Sequence, residues 1–286
     1  MTSILRTSKD LFQAYEVHIR KPSFLVGNNG NYTRKIFGQL GLGSPEFDEV
    51  CSRLECVQPQ MNLGSWVGPK EAVSAEPLSG NETAEFEREL WARGVLTTEL
   101  MRLIKEKEER RKWGFKILGD IIYADKYSSV WPNAIFILLV RDPRDHALSI
   151  MELNKQRTAR GQEPFYPDYR DVARGWKQTV DGGKRALVEK GISHVVLRYE
   201  DLVREPQSIL RQLSGDLGID LSEGLEFYRA GFVERHQKRF RHHANLGRPI
   251  NADSLDKWRT RMSEADAAIF REEIGETMAD YGYKIQ

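Results

Sequence analysis

Cysteine is nearly missing from this 286-residue chain: Cys51 and Cys56 are the whole supply. Two thiols cannot build a disulfide framework, and without paired clusters they do not read as a zinc site. An excess of one charge is missing too. Lys and Arg number 43 against 42 Asp and Glu, so no global field recruits nucleic acid or an anionic membrane, and any anion site has to be local. No segment approaches the ~20 apolar residues of a membrane span. Met1 to Tyr15 alternates charged with apolar residues where a signal peptide would be continuously apolar, so a cytoplasmic location is expected. His, Asp and Glu are nowhere clustered in a metal-ligand pattern, and no metal is expected.

What is present is the composition of a packed protein, 40% hydrophobic and 30% charged, unlike that of a disordered or fibrous chain. The length allows one large domain or two small ones. No internal repeat or low-complexity linker divides it, and 1–286 is expected to form a single domain. The run Ser23-Phe24-Leu25-Val26-Gly27 follows Pro22, ends in a glycine-asparagine turn and predicts a buried strand. Further strands are expected at Trp113 to Leu118, at Ala134 to Val140 between Pro132-Asn133 and Arg141-Asp142-Pro143, and at His194 to Arg198. Runs apolar on both faces suit a parallel sheet covered by helices.

Helical periodicity fills the intervals. Val172, Trp176 and Val180 recur every fourth residue, as do Ile209, Leu213 and Leu217; Phe270, Ile274, Met278 and Tyr281 follow Ser263, a candidate N-cap. Strands alternating with helices predict an α/β fold with a central parallel sheet flanked by helices. The charged stretch Glu82 to Lys112 reads as a solvated helix face.

In such a sheet, anions collect beyond the carboxyl ends of strands, where helix N-termini offer unpaired N–H groups. Two turns qualify. Gly27-Asn28-Asn29-Gly30-Asn31-Tyr32-Thr33-Arg34-Lys35 offers backbone amides, a hydroxyl and two cations, although it lacks the Gly-Lys-Ser/Thr ending of the triphosphate-binding P-loop. Arg141-Asp142-Pro143-Arg144-Asp145-His146-Ala147-Leu148-Ser149 follows the strongest strand. Asp142 or Asp145 can cap the helix, and Ser149 lies eight positions after Arg141, about two helical turns on. Arg141 and Ser149 could clamp one phosphate; alternatively, Arg141 pairs with Asp142 at the cap.

This second segment resembles the Arg-Asp-Pro-Arg-Asp-x-Ala-x-Ser hallmark of the sulfotransferase family. The resemblance implies a P-loop nucleotide-hydrolase-like fold and transfer of a sulfuryl group from 3'-phosphoadenosine-5'-phosphosulfate to a hydroxyl or amine. It also implies that Arg141 and Ser149 hold the 3'-phosphate. Arg198-Tyr199-Glu200-Asp201-Leu202-Val203-Arg204-Glu205-Pro206 looks like the second family signature, which sets Tyr199 near the adenine. Lys116 resembles a family lysine, and Lys257-Trp258-Arg259 matches the basic-aromatic ending before the last helix. Carried onto the first loop, the resemblance implies cofactor contacts from Asn29, Gly30, Asn31, Tyr32, Thr33 and Arg34, with Arg248 contributing from the C-terminal side.

The chain departs from the pattern in two places. Asn28 stands where the family's leaving-group cation belongs, so Lys35 or Arg34, with Lys116, is expected to replace it. Asn251-Ala252-Asp253 occupies the spacing of the family's Arg-Lys-Gly. Basic residues cluster upstream instead, from Arg235 to His243 and at Arg248, as a surface run or as a flap over the nucleotide. The base that receives the acceptor's proton is sought among Glu71, Asp120 and His146, with Glu71 assigned first. The acceptor, a small molecule or glycan, is expected against 42–82, 157–169 and 230–253, with Trp66, Phe165, Tyr166 and Tyr169 as lining. A nucleotide-dependent phosphotransferase, or a nucleotide-binding protein that has lost the chemistry, are the rival readings; oligomeric state is not legible.

Overall fold

The computed structural model describes residues 1–5, 7–13, 109, 111–114, 116, 120–230 and 247–285. The expected strand Ser23–Gly27, the first loop with Asn28 and most of the charged run lie outside the described residues. Helix α1 (Thr2–Leu5) leads into strand β1 (Leu11–Gln13), which pairs in parallel with β2 (Lys112–Gly114). A 3-10 turn, Asp120–Tyr123, and α2 (Ala124–Val130) precede β3 (Phe136–Val140). Strand β4 (His194–Arg198) pairs in parallel with β3, in register from Phe136↔His194 to Val140↔Arg198. A parallel neighbour needs a crossover. It is supplied by α3 (Pro143–Thr158) and α4 (Tyr169–Glu189). After β4 come α5 (Tyr199–Arg204), α6 (Pro206–Leu217) and a 3-10 segment, Ser222–Arg229; α7 (Trp258–Arg261) and α8 (Glu264–Asp280) follow.

The apolar character of β3 has a direct cause over most of its length: its 136, 138 and 140 side is buried and Ile137 on the other side is partly covered, while Leu139, like Val196 of β4, stays exposed. Phe136, Leu138 and Val140 join a layer with Val172, Ala173, Trp176, Val180 and Leu187 of α4 and Phe270, Ile274 and Met278 of α8. Ile137, Val195 and Leu197 belong to the opposite layer, with Leu202, Leu210, Leu213, Leu217, Leu221 and Phe227. This is the layered α/β arrangement that the alternation of elements implies.

Helix ends follow local chemistry. The Asp142, Asp168 and Ser263 side chains accept the N–H groups of Arg144, Asp171 and Asp266 and cap α3, α4 and α8. Gly218, at φ 59°, ends α6 in the left-handed conformation. Gly183 lets α4 approach the 3-10 turn, since a Cβ there would lie 2.8 Å from Ile121 Cγ2.

One expected strand is corrected. The described pairing at β2 begins one residue earlier than expected and runs from Lys112 to Gly114; Lys116 carries no strand, and 115, 117 and 118 of the expected strand lie outside the described residues. The partner is β1, in a segment given no strand by its sequence, and the register Leu11↔Lys112 fixes where pairing starts. Among the described residues no helix is long and apolar enough to cross a membrane.

Candidate functional site

β3 ends at Val140 and α3 begins at Pro143, so Arg141 and Asp142 form the turn at the carboxyl edge of the sheet. The Asp142 carboxylate accepts Arg144 N at 2.9 Å and the Arg144 guanidinium at 3.0 and 2.7 Å. Both side chains are buried, Arg144 at 2% exposure, and its guanidinium lies 3.6 Å from the centre of the Trp258 ring. The arginine that pairs with Asp142 is therefore Arg144, not Arg141. Behind the turn, Asp142 N donates to Glu200 Oε1 at 2.9 Å, and the Tyr283 hydroxyl donates to Glu200 Oε2 at 3.0 Å. Burial first and the Glu200 charge second push the Tyr283 phenol upward, so it remains a donor.

Arg141 is left for other partners. Its carbonyl accepts the Trp176 indole N–H at 3.0 Å, which fixes the backbone. Its Nη1 faces Ser149 Oγ at 3.4 Å, a long contact, and its Nη2 donates to the Ser254 carbonyl at 2.8 Å. The buried Nε has no hydrogen-bond partner. The guanidinium carbon lies 5.0 Å from the centre of the Tyr199 ring, and the Tyr199 hydroxyl shares a 2.8 Å hydrogen bond with Ser254 Oγ. Ser149 Oγ donates to the Asp145 carbonyl at 3.1 Å. Arg141, Ser149 and Tyr199, chosen from two separate segments, thus meet at one strand end. A planar cation with one unsatisfied donor, a hydroxyl beside it and an aromatic ring below suit a phosphate attached to a flat base.

Asp145 does not cap α3. Its carboxylate, 2% exposed, accepts Asp256 N at 2.7 Å and Trp258 N at 2.9 Å, fastening the segment 254–258 to the helix that carries Ser149. Desolvation raises its pKa, opposed by the Trp258 N–H. His146 is driven the other way: burial first and the Arg141 charge second hold it at about 4. At neutral pH it is an uncharged imidazole of low basicity, which weighs against it as the proton acceptor.

The remaining candidates are not brought to this cluster by any described contact. Lys116 is half-buried; its charge, after burial, holds the Met1 amine down at about 6. Arg248 is exposed in the turn before Pro249. Asn29, Gly30, Asn31, Tyr32, Thr33, Arg34, Lys35, Trp66 and Glu71 lie outside the described residues, as does the Asp120 side chain. Tyr166 and Tyr169 pack against the main core, whereas Phe165 remains exposed beneath the Arg157 guanidinium, 4.0 Å away. Sequence reasoning missed Ser254, which directly follows the Asn251-Ala252-Asp253 stretch noted for lacking Arg-Lys-Gly, and Glu200, visible only as part of a signature. Among the described residues no group of three His, Cys, Asp or Glu could hold a metal.

A family model described as the sulfotransferase family matches residues 57–223, which take in both the 141–149 and the 198–206 segments. The chain belongs to the sulfotransferase family. The sulfotransferase-family segment includes the whole β3–β4 unit and the Arg141, Ser149 and Tyr199 side chains; Ser254 and Trp258 lie after it. Protein-tyrosine sulfotransferase 1 of Danio rerio is 26% identical over 136 residues, covering 46% of this chain and 37% of that protein. The matched part is thus little more than a third of that relative's length. The sulfotransferase domain from the curacin biosynthetic pathway superposes with a TM-score of 0.55 at 15% identity, over 100% of this chain and 93% of that one. This likeness shows that the fold is the α/β sulfotransferase fold.

Proposed function

We propose that this chain is a sulfotransferase that uses 3'-phosphoadenosine-5'-phosphosulfate and passes its sulfuryl group to a hydroxyl or amine of a small-molecule or glycan acceptor, working as a single domain in the cytoplasm. The observation that carries the reading is the meeting of Arg141, Ser149 and Tyr199 at the end of β3, with Arg141 Nε buried and unpaired. A buried donor without a partner is costly. An anion seated there would satisfy it.

Arg141 and Ser149 bind the 3'-phosphate, and Tyr199 lies against the adenine. When bound, the nucleotide supplies the sulfuryl group and leaves as the 3',5'-bisphosphate. The backbone amides, Tyr32 and Thr33 of the first loop and Arg34 cradle the 5'-phosphate; Lys35, with Lys116, neutralises the leaving oxygen in place of the cation missing at Asn28. Each such donor is worth about 2.7 to 4 kcal/mol by analogy with oxyanion holes. Glu71 takes the acceptor's proton, a role for which the low basicity of His146 leaves that imidazole poorly suited.

Calorimetric titration with 3',5'-bisphosphoadenosine, adenosine 5'-phosphate and ATP tests the binding half. The bisphosphate binds tightest on this reading; a preference for ATP supports a phosphotransferase instead. For the chemistry, bisphosphate release from the sulfuryl donor is measured across phenols, amines, sugars and a tyrosine-containing peptide, the last because the Danio rerio relative is named for protein tyrosine. Tight bisphosphate binding with no turnover on any class would indicate a binding protein.

A further inference from the structure

A tetrahedral anion is held best by the flat edge of a guanidinium, through Nε and the Nη beside it. On Arg141 that edge is half taken. Nη2 donates to the Ser254 carbonyl at 2.8 Å, while Nε, buried beside it, has no partner. The Ser254 hydroxyl is tied to the Tyr199 hydroxyl at 2.8 Å, and Arg141 lies over the Tyr199 ring. A single residue therefore contacts two of the three clustered side chains assigned to the nucleotide, Arg141 and Tyr199.

Among the described residues the strap carrying Ser254 is held by side-chain hydrogen bonds on its C-terminal side, and on its N-terminal side Ile250 packs against the apolar layer beneath β4. Asp256 N and Trp258 N are held by the Asp145 carboxylate, and the Asp256 carboxylate faces Arg204 at 3.3 Å and Arg259 at 3.4 Å. Towards the N-terminus, Asn251, Ala252 and Asp253 are exposed. Their described bonds are local: Asn251 Nδ2 to the Pro249 carbonyl, Asp253 N to Asn251 Oδ1 and Leu255 N to the Ala252 carbonyl. The geometry is that of a short arm, 251–255, spanning from Ile250 to the anchor at 256–258, with the Ser254 carbonyl turned to Arg141.

We infer that the Ser254 peptide is an internal occupant of the 3'-phosphate seat, which a 3'-phosphate displaces from Arg141 Nη2 and a 3'-hydroxyl does not. The inference rests on the nucleotide reading above and adds an internal competitor for the phosphate seat to it. A phosphate brings full negative charge and several acceptor oxygens to the Nε/Nη2 edge, so it outcompetes a neutral carbonyl. A nucleotide ending in a 3'-hydroxyl gains too little there to offset the broken Ser254 bond. The arm thus tempers affinity for nucleotides with a 3'-phosphate, because only they must displace it, and leaves those with a 3'-hydroxyl unaffected.

The decisive variant is Ser254→Ala, which cuts the tether to Tyr199 and leaves the carbonyl on a looser arm. Its affinity for 3',5'-bisphosphoadenosine is expected to rise about two- to tenfold, the worth of one net hydrogen bond, with affinity for adenosine 5'-phosphate unchanged. Tyr199→Phe removes the same bond from the other side, keeps the ring and tests the tether if Ser254→Ala folds poorly. The double variant should add nothing further. By hydrogen exchange, saturating bisphosphate should speed exchange at Leu255 N while Asp256 and Trp258 N stay protected. Unchanged or weaker bisphosphate binding in Ser254→Ala overturns the inference and leaves the nucleotide reading standing. That reading falls, and the inference with it, if the unaltered protein binds bisphosphate no better than adenosine 5'-phosphate and Arg141→Ala changes neither.

Discussion

Replacing Arg141 by alanine removes a guanidinium whose Nη2 bonds a neutral carbonyl at 2.8 Å and whose buried Nε bonds nothing. A 3'-phosphate would gain two charge-assisted hydrogen bonds there, about 1.5 to 3 kcal/mol each, at the expense of the Ser254 bond, worth about 1. The net figure of about 3 kcal/mol corresponds to roughly a hundredfold in Kd. Adenosine 5'-phosphate lacks the group Arg141 holds and should lose less than about threefold, through weaker support of Tyr199 alone. Calorimetry on both nucleotides supplies the comparison. The fold should persist, since the bond from Trp176 goes to the Arg141 carbonyl and survives the substitution. Arg141→Lys keeps the charge without the planar edge and should recover only part of the loss. Equal losses for the two nucleotides would refute the assignment of Arg141 to the 3'-phosphate.

Asn154→Ala should destabilise the protein by about 1 to 3 kcal/mol, because it leaves Phe165 N and the Tyr166 carbonyl without the amide that bridges them at 2.8 and 2.7 Å; denaturant melts and faster tryptic cleavage near Arg157 and Arg160 check it. In Gly183→Ala, about 1 kcal/mol of helix propensity is gained, but the contact with Ile121 Cγ2 at 2.8 Å overpacks the α4 interface, and a lower Tm is expected. His146 sits at about 4 against an ordinary 6.5, so the folded state binds fewer protons than the unfolded state between those values. Stability present above pH 6.5 is therefore lost as pH falls towards 4, by up to ~1.4 kcal/mol per pH unit; His146→Gln should flatten that part of the Tm profile, and an unchanged profile would contradict it.

How much could be read beforehand depended on the range of the contacts involved. Strand β4 was legible to the residue, since Gly191 precedes it and its Val-Val-Leu run is β-branched and apolar, although only Leu197 of it is buried. β3 starts two residues later than expected because Phe136 N is the first to reach across, to the Ser193 carbonyl. Ser263 and the spacing Phe270, Ile274, Met278 announced α8 because capping and helical periodicity are local properties. By contrast β1, three residues long, has no alternation to detect, and β2 takes its limits from it. The two arginines of Arg141-Asp142-Pro143-Arg144 look alike in sequence; that Arg144 is the one taken up, by Asp142 and by the Trp258 ring far along the chain, is visible only in the fold. Ser254 escaped for the same reason, its arm being held by bonds to Asp145 across more than 100 residues.

The Trp258 indole has a spectroscopic consequence. Its ring lies between two guanidinium groups, Arg144 at 3.6 Å and Arg259 at 4.5 Å, while its own N–H is buried without a hydrogen-bond partner. A chromophore so close to two cations, one of them the buried Arg144, responds to small changes in their position, and Trp258 is joined by its backbone to the Ser254 arm. The protein has six tryptophans, so the emission difference between it and Trp258→Phe isolates one of them. Recorded during a nucleotide titration, that difference would report the displacement of the arm in real time, without any attached dye.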